Sequence, residues 1–272
     1  MHGKEKDSNK KKIERTGIDL FAGCGGFSLG MKKAGFKILV AVEIDKWAAE
    51  TYRFNQKGTI VMEEDIKQIT PRRLLKTAGI KQRDLDILFG SPPCQGFTTI
   101  SSKRSIDDPR SKLMFEFIRM VKGVQSKIFY IENVPGLFYF KDFFILLMKT
   151  LEGCGYIVRC LMMDAADYGV PQRRKRIFIQ GVRKDLGFLP GFPVPTHFAP
   201  ESLKTKDRMF QPAEVAVECF ARNGFAKEEV KDLHWNSVLN IQMNRKTAPY
   251  VLDVAIGKLI GEGLKRHINT KH

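Results

Sequence analysis

The sequence lacks the cysteine patterns that staple small secreted or zinc-binding folds. Its five cysteines are an odd number, and no two of them form a Cys-x-x-Cys pair. This argues against a disulfide framework and against a structural zinc site, so we expect reduced thiols and no bound metal. The cysteines are Cys24, Cys94, Cys154, Cys160 and Cys219.

Long hydrophobic runs are also lacking. The longest, such as 38–42 and 143–148, fall far short of the roughly 20 apolar residues that span a bilayer. The amino terminus is charged from Lys4 to Lys12 and has no apolar stretch of the secretory type. We therefore expect an intracellular protein without a membrane partner.

Acidic residues are scarce relative to basic ones. The chain has 46 Lys and Arg against 30 Asp and Glu, which gives a formal net charge of +16. Such an excess favours a polyanionic partner, and nucleic acid is the usual one. The alternative is a generally basic protein from a basic proteome.

Short apolar runs alternate with amphipathic stretches through most of the chain. This alternation predicts an α/β fold, with a mainly parallel sheet covered by helices on both faces. Ligands of such sheets bind at the carboxyl ends of the strands. The predicted strands are 18–21, 38–44, 85–89, 128–131, 156–163 and 177–182, and the predicted helices begin near 28, 47, 112 and 142.

Composition divides the chain into four parts. Residues 1–15 are predicted to be a flexible basic tail, and residues 16–186 an α/β domain that carries the candidate cofactor-binding and catalytic segments. Prolines cluster after Lys184 and strong periodicity stops, which marks residues 187–245 as a small irregular region. Residues 246–272 contain a last amphipathic helix that we expect to pack back on the α/β domain.

A glycine-rich turn follows the first predicted strand. Gly23 and Gly25 would let a ligand approach the backbone, although Ser28 at the sixth position breaks a full Gly-x-Gly-x-x-Gly pattern. Glu43 ends the next strand, where a carboxylate can accept both ribose hydroxyls of a nucleoside cofactor. Asp65 follows another apolar piece and is either an adenine contact or an ordinary loop aspartate.

A second group of reactive side chains follows the later strands. Cys94 lies directly after Pro92 and Pro93 on a constrained loop at the predicted edge of the sheet, where a thiol is placed to react. Glu132 ends another strand at that edge, and the basic run 172–176 precedes one. Taken singly, a glutamate or a basic run at such a place is more often part of the solvated surface.

Together these segments resemble the DNA cytosine-5 methyltransferase family. The matching pieces keep the family's order and spacing, and as a set they are highly specific. They are DLFAGCGG at 19–26, VEID at 42–45, GSPPCQGF at 90–97, IENVPG at 131–136 and YGVPQRRKRIFI at 168–179.

The resemblance implies a fold, an activity and a set of partners. The fold is a Rossmann-like S-adenosylmethionine-dependent methyltransferase sheet, with a small target-recognition segment over 187–245. The reaction is methyl transfer from S-adenosylmethionine to carbon 5 of cytosine in DNA, through a covalent bond from Cys94 to carbon 6 and with base flipping. S-adenosylhomocysteine is the product, and no metal takes part.

The resemblance also assigns roles to individual residues. The implied catalytic residues are Cys94, Glu132, Arg174 and Arg176. The implied cofactor-binding residues are Phe21, Gly23, Gly25, Glu43, Ile44, Asp65, Ile66, Pro93, Leu113 and Thr247. The implied substrate-binding residues are Gln95, Asn133 and Gln172.

The implied biological setting is a restriction-modification system acting on double-stranded DNA. A cognate restriction endonuclease or a second subunit is a candidate further partner, and the cytoplasm or nucleoid is the expected location in a prokaryote. Two alternatives remain open: a transfer RNA cytosine-5 methyltransferase, and an inactive nucleic-acid-binding or partner-dependent subunit.

The match departs from the family near its end. No Arg-Leu-Gln segment precedes the final helix, and Arg245-Lys246 occupies the place of the usual Gly-Asn pair, which leaves Thr247 as the candidate cofactor contact. The region over 187–245 is short for a segment that reads DNA sequence. A short site, weak specificity or help from a second chain would follow.

Overall fold

The main sheet of the protein has seven strands. A computed structural model describes residues 14–93, 112–170, 172–198 and 211–212. The strand order is β3-β2-β1-β4-β5-β7-β6. The strands are β1 (Arg15–Leu20), β2 (Phe36–Glu43), β3 (Ile60–Glu63), β4 (Ile87–Gly90), β5 (Ile128–Asn133), β6 (Tyr156–Asp164) and β7 (Lys175–Arg183).

Strand direction confirms the predicted mainly parallel α/β sheet and adds one feature. Strands β1 to β5 pair in parallel, whereas β7 runs antiparallel to both β5 and β6. The chain leaves β1 toward β2 on one side and later returns to β4 on the other. Ligands bind at the carboxyl ends of the strands where the order reverses in this way.

Six helices are described between these strands. Short polar caps begin two of them: the Asp45 carboxylate accepts the Ala48 N–H at 2.8 Å, and the Thr70 hydroxyl accepts the Arg73 N–H at 3.2 Å. The helices are α1 (Gly26–Lys33), α2 (Lys46–Asn55), α3 (Pro71–Ala78), α4 (Lys112–Val124), α5 (Gly136–Tyr139) and α6 (Lys141–Gly153).

Alternating side chains of the strands fill two core layers, one on each face of the sheet. In β4, Leu88 belongs to the layer that also contains α3, α4 and α6, whereas Ile87 and Phe89 belong to the layer with α1. The same alternation holds in β5, as the two-residue period of a strand requires. Both faces are therefore covered, which confirms the predicted arrangement of helices.

The chain after β7 stays against the segment that follows β6 at first. The Tyr168 hydroxyl donates to the Pro193 carbonyl at 3.1 Å, and the Thr196 N–H donates to the Asp167 carbonyl at 2.9 Å. A short strand, β8 (His197–Phe198), then pairs in parallel with β9 (Gln211–Pro212). The predicted boundary after residue 186 stays a prediction, and the predicted tail over 1–15 and helix over 246–272 lie almost wholly outside the described residues. None of the helices described here is long and apolar enough to cross a membrane.

Candidate active site

The glycine-rich turn joins β1 to α1 at the carboxyl edge of the sheet. Its backbone is left-handed at Phe21, with φ 59°, and at Gly23 and Gly25, with φ 53° and 88°. Non-glycine residues rarely adopt this conformation, so Phe21 occupies a strained position at the start of the turn. The turn thereby folds back toward the end of β2.

Glu43 fixes the turn from the side of β2. Its Oε2 accepts the Gly23 N–H at 2.7 Å, and its Oε1 accepts the Asp45 N–H at 2.8 Å. A carboxylate offers about four lone-pair sites, so each oxygen can accept one further hydrogen bond. Glu43 is thus held rigidly and can still accept a pair of hydroxyl donors.

A pocket of about 400 Å³ opens beside Glu43. Its volume falls in the range of small-molecule sites, roughly 300–1,000 Å³. Among the predicted cofactor residues, the lining includes Phe21, Glu43, Ile44, Asp65, Ile66, Pro93 and Leu113. Sequence reasoning missed the rest of the lining, which is Val42, Glu64, Lys67 and Ser91.

The pocket combines apolar walls with three carboxylates, of which Glu64 is paired with Arg73 and Glu43 and Asp65 are not. Phe21, Ile44 and Leu113 are apolar surfaces against which a flat ring can pack. Asp65 Oδ1 accepts the Lys67 N–H at 2.9 Å, which fixes the side chain at the start of a 3-10 turn. These acceptors suit adenosine, because Glu43 can accept from ribose hydroxyls and Asp65 from an exocyclic amine.

The remaining predicted cofactor residues lie elsewhere. Gly23 and Gly25 do not line the pocket; Gly23 acts on it through its hydrogen bond to Glu43, and Gly25 precedes the first residue of α1. Thr247 lies outside the described residues, as do Cys94 and Gln95.

The loop that leads to Cys94 is tied to the end of β5. Asn133 Nδ2 donates to the Pro92 carbonyl at 3.0 Å, while Asn133 Oδ1 accepts the Val134 N–H at 2.8 Å. Pro92 therefore leaves the sheet beside the end of β5, where Glu132 lies.

Glu132 and Arg176 form a nearly buried ion pair at the same edge. The Arg176 Nε lies 2.8 Å from Glu132 Oε1, and Glu132 is 8% exposed. The contact is an ion pair without an aligned hydrogen bond at Oε1. A second guanidinium nitrogen of Arg176 donates to the Lys175 carbonyl at 2.8 Å, which restrains the side chain. The structure thus brings together two of the predicted catalytic residues.

Arg174 is positioned by its backbone at the start of β7. Its N–H donates to Asp164 Oδ1 at 2.9 Å, and its carbonyl accepts the Ala165 N–H at 3.1 Å. Gln172 precedes it in a tight turn, in which its N–H donates to the Val170 carbonyl at 2.7 Å. Sequence reasoning missed Asp164, although an aspartate at a strand end before a short helical turn is a capping signal.

Three of the other cysteines have thiols with a raised pKa. Cys24, Cys154 and Cys160 are half-buried, and burial raises the pKa of each thiol. Because the thiolate is the nucleophilic form, a raised pKa leaves these cysteines largely unreactive at neutral pH.

A family model and several curated proteins match this chain. The model of the C-5 cytosine-specific DNA methylase family matches residues 15–252. Type II methyltransferase M.DdeI of Desulfomicrobium norvegicum is 42% identical over 176 residues, 62% of this chain and 40% of that protein. Type II methyltransferase M.AquIA of Picosynechococcus is 38% identical over 195 residues, 68% of this chain and 78% of that protein.

Solved structures share the architecture. A prophage-encoded DNA modification methyltransferase from E. coli is 32% identical, with a TM-score of 0.57 over 67% of this chain and 53% of that one. Spodoptera frugiperda DNMT2 matches 93% of this chain and 99% of its own with a TM-score of 0.56, and at 21% identity it shows the fold alone.

Coverage of the relatives is uneven. The chain spans 40%, 43% and 50% of the length of M.DdeI, M.XorII and M.NgoPII. The residues that the family model matches include the glycine-rich turn, Glu132 and Arg176. With the family model matched over most of its length, this chain belongs to the C-5 cytosine-specific DNA methylase family.

Proposed function

We propose that this chain transfers a methyl group from S-adenosylmethionine to carbon 5 of cytosine in DNA, as the modification enzyme of a restriction-modification system. One observation carries the proposal. The Glu132–Arg176 pair lies at the edge of the sheet where the loop toward Cys94 begins. The hydrogen bond from Asn133 to Pro92 joins the two. The pocket bounded by Glu43 and Pro93 lies at that edge.

S-adenosylmethionine suits the pocket by its chemistry. Glu43 would accept the ribose hydroxyls, and Asp65 would accept the adenine amino group. Phe21, Ile44 and Leu113 would enclose the ring, and Pro93 and Ile66 would complete the walls. When bound there, the cofactor supplies an electron-poor methyl group on a sulfonium.

Cys94 would overcome the low reactivity of the cytosine ring. Carbon 5 is a poor nucleophile, and addition of a thiolate to carbon 6 makes the ring enamine-like, so that carbon 5 can accept the methyl group. Free cysteine has a pKa of about 8.5, and the guanidinium groups of Arg174 and Arg176 would favour the anion. Loss of the carbon 5 proton to a base then expels the thiolate and restores the aromatic ring.

Glu132 would hold the other side of the ring. In its protonated form it would share a proton with N3 and accept from the exocyclic amine, which relieves the negative charge that thiolate addition creates. Arg176, paired with Glu132, would fix the carboxyl group in place. Gln95, Asn133 and Gln172 are the proposed contacts to the nucleotide or to the loops that surround it.

The target base must leave the helix for this chemistry. Methyltransferases that act on a base swing it out of the stack at a cost of a few kcal/mol. Basic side chains on phosphates would offset part of that cost. The region over 187–245 would read the flanking bases, alone or with a second subunit.

The experiment that tests the function is methylation of DNA and transfer RNA by the purified chain. Bisulfite sequencing of treated DNA is expected to show protected cytosines in a fixed sequence context. Methylation of transfer RNA with no protected DNA would overturn the DNA assignment. No transfer to either, with S-adenosylhomocysteine bound normally, would point instead to a partner-dependent subunit.

The proposed nucleophile has a direct test. Cys94→Ala is expected to abolish turnover while binding of S-adenosylhomocysteine stays close to wild type, because the proposed role of the thiol is to attack the base and not to hold the cofactor. Wild-type protein is expected to form a stable covalent complex with DNA containing 5-fluorocytosine, since fluorine cannot leave as a proton does. An active enzyme that forms no such complex would contradict the covalent route.

A further inference from the structure

A buried chain of hydrogen bonds supports the glycine-rich turn from behind. The Tyr52 hydroxyl on α2 donates to Ser28 Oγ on α1 at 2.6 Å, and Ser28 Oγ donates to Asp19 Oδ2 on β1 at 2.6 Å. All three residues are buried, with relative exposures of 0%, 0% and 1%. The chain therefore connects the three elements that surround the turn.

The proton positions in this chain follow from burial. Burial and the nearby Asp19 carboxylate raise the pKa of Tyr52 far above its usual range, so the phenol keeps its proton and acts as the donor. The Ser28 hydroxyl accepts that bond and directs its own proton at the carboxylate. Hydrogen bonds to a charged acceptor are stronger than neutral ones, which makes Asp19 the anchor of the chain.

The Tyr52 ring also sets how closely α2 approaches the turn. A Cβ added to Gly25 would lie 2.7 Å from Cδ2 and 2.9 Å from Cε2 of Tyr52. From the C-terminal cap of the same helix, Gln56 Nε2 donates to the Gly25 carbonyl at 3.3 Å. The turn is thus held between α2 on one side and the Glu43 carboxylate, which binds the Gly23 N–H, on the other.

From this geometry we infer that Tyr52 is a positioning residue for cofactor binding, acting through Ser28, Asp19 and the glycine-rich turn on Glu43. The inference rests on the proposed function, because it takes the pocket beside Glu43 as the cofactor site. Tyr52 does not line that pocket. Its hydroxyl fixes the turn whose Gly23 N–H orients the Glu43 carboxylate toward the ribose.

The test compares two tyrosines that each make one buried hydroxyl contact. Tyr52→Phe keeps the ring against Gly25 and removes only the donor to Ser28. The matched control is Tyr156→Phe, because Tyr156 is 0% exposed and its hydroxyl donates to the Ser126 carbonyl at 2.7 Å, away from the pocket. Both variants lose one buried hydrogen bond, so a similar fall in thermal stability is expected.

Only the Tyr52 variant is expected to lose cofactor affinity. Calorimetric titration of each full-length variant with S-adenosylhomocysteine is expected to give a Kd about three- to tenfold higher for Tyr52→Phe, the equivalent of one hydrogen bond, and an unchanged Kd for Tyr156→Phe. The KM for S-adenosylmethionine is expected to rise in parallel, with kcat at saturating cofactor and the KM for DNA unchanged.

Other outcomes are equally informative. An unchanged Kd for Tyr52→Phe, or the same rise in both variants, would reduce Tyr52 to a core residue and overturn the inference. If Tyr52→Phe does not fold, Gln56→Met removes the donor to the Gly25 carbonyl and is expected to raise the Kd in the same direction; an unchanged Kd there overturns it. Wild-type protein that binds no S-adenosylhomocysteine would overturn the proposed function itself.

Discussion

Single residues at the glycine-rich turn combine conformational strain with close packing. Gly25 has φ +88° and has no room for a Cβ beside Tyr52, whereas Gly58 has φ +82° and nothing within 4 Å of the same position. A side chain in the left-handed region costs about 1–2 kcal/mol. Substitution of the two glycines therefore distinguishes the cost of backbone strain from the cost of a steric clash.

Gly25→Ala is expected to lower both stability and cofactor affinity. Strain and the clash with Tyr52 act together there, so the free energy of unfolding in urea should fall by more than the roughly 1–2 kcal/mol of strain alone. The Kd for S-adenosylhomocysteine should rise, since relief of the clash moves the turn away from Tyr52 and disturbs the hydrogen bond between the Gly23 N–H and Glu43.

Gly58→Ala is the control for that substitution. It is expected to show the strain cost alone and an unchanged Kd. Equal effects of the two substitutions on affinity would mean that the packing of Tyr52 against the turn has no influence on the pocket.

For single residues, the sequence predicts a role better when that role depends on neighbouring positions than when it depends on distant ones. Glu43 was predicted because it ends a strand at a fixed distance after the glycines, and Asp65 because it follows an apolar piece. The hydrogen-bond chain of Tyr52 could not be predicted, since Tyr52 and Ser28 are 24 positions apart and nothing local distinguishes Tyr52 from a core tyrosine. Asn133 was predicted as a substrate contact, and its hydrogen bond to Pro92 gives it a positioning role that the motif alone does not specify.

Among the elements, the end of β5 and the loop after β4 act together through one amide. Asn133→Ala removes the donor to the buried Pro92 carbonyl and frees the loop that carries Cys94. Displacement of a reacting group by about 1 Å can cost about 100-fold in rate. We expect the rate of covalent complex formation with 5-fluorocytosine DNA to fall about 10- to 100-fold.

Two readouts distinguish this role from the alternatives. S-adenosylhomocysteine binding should change little, because Asn133 does not line the pocket. Asn55→Ala, which removes an amide donor to the Thr51 carbonyl on the exposed side of α2, should leave the rate unchanged. A raised KM for DNA with a normal rate of complex formation would instead make Asn133 a direct substrate contact.

The type of each element could be predicted from the apolar periodicity of the sequence, but the direction of β7 could not. The predicted strands, and the predicted helices that fall within the described residues, lie within two or three residues of the observed ones, because apolar periodicity is strong in each. Helix α3 was missed despite the Thr70-Pro71 start and the Gly79 stop, since its Arg- and Lys-rich sequence has few apolar positions. The antiparallel direction of β7 depends on the 3-10 turn over 165–168 that reverses the chain after β6, and no simple turn motif announces it.

Across the whole molecule, charged groups have different tasks at the two edges of the sheet. At the amino edge, ion pairs such as Arg83–Asp185 at 2.6 Å and Lys127–Asp86 at 2.8 Å join neighbouring elements. Exposed pairs of this kind contribute little to stability. At the carboxyl edge, Arg176 is held beside Glu132 in a nearly buried setting, where its charge acts on the site.

The net charge of +16 favours binding to DNA, and the site at the carboxyl edge leads us to expect the DNA contact at that edge. The logarithm of the DNA association constant should fall linearly with the logarithm of salt concentration, with a slope set by the number of phosphates contacted.

Arg173 is exposed just before β7 on the carboxyl edge, so Arg173→Ala is expected to reduce the slope by about one contact. Lys81 is exposed near the amino edge, where its N–H donates to Asp84, and Lys81→Ala is expected to leave the slope unchanged. Fluorescence anisotropy over a salt series measures both slopes, and equal reductions would show that the charge acts as a diffuse field and that DNA does not lie along the catalytic edge.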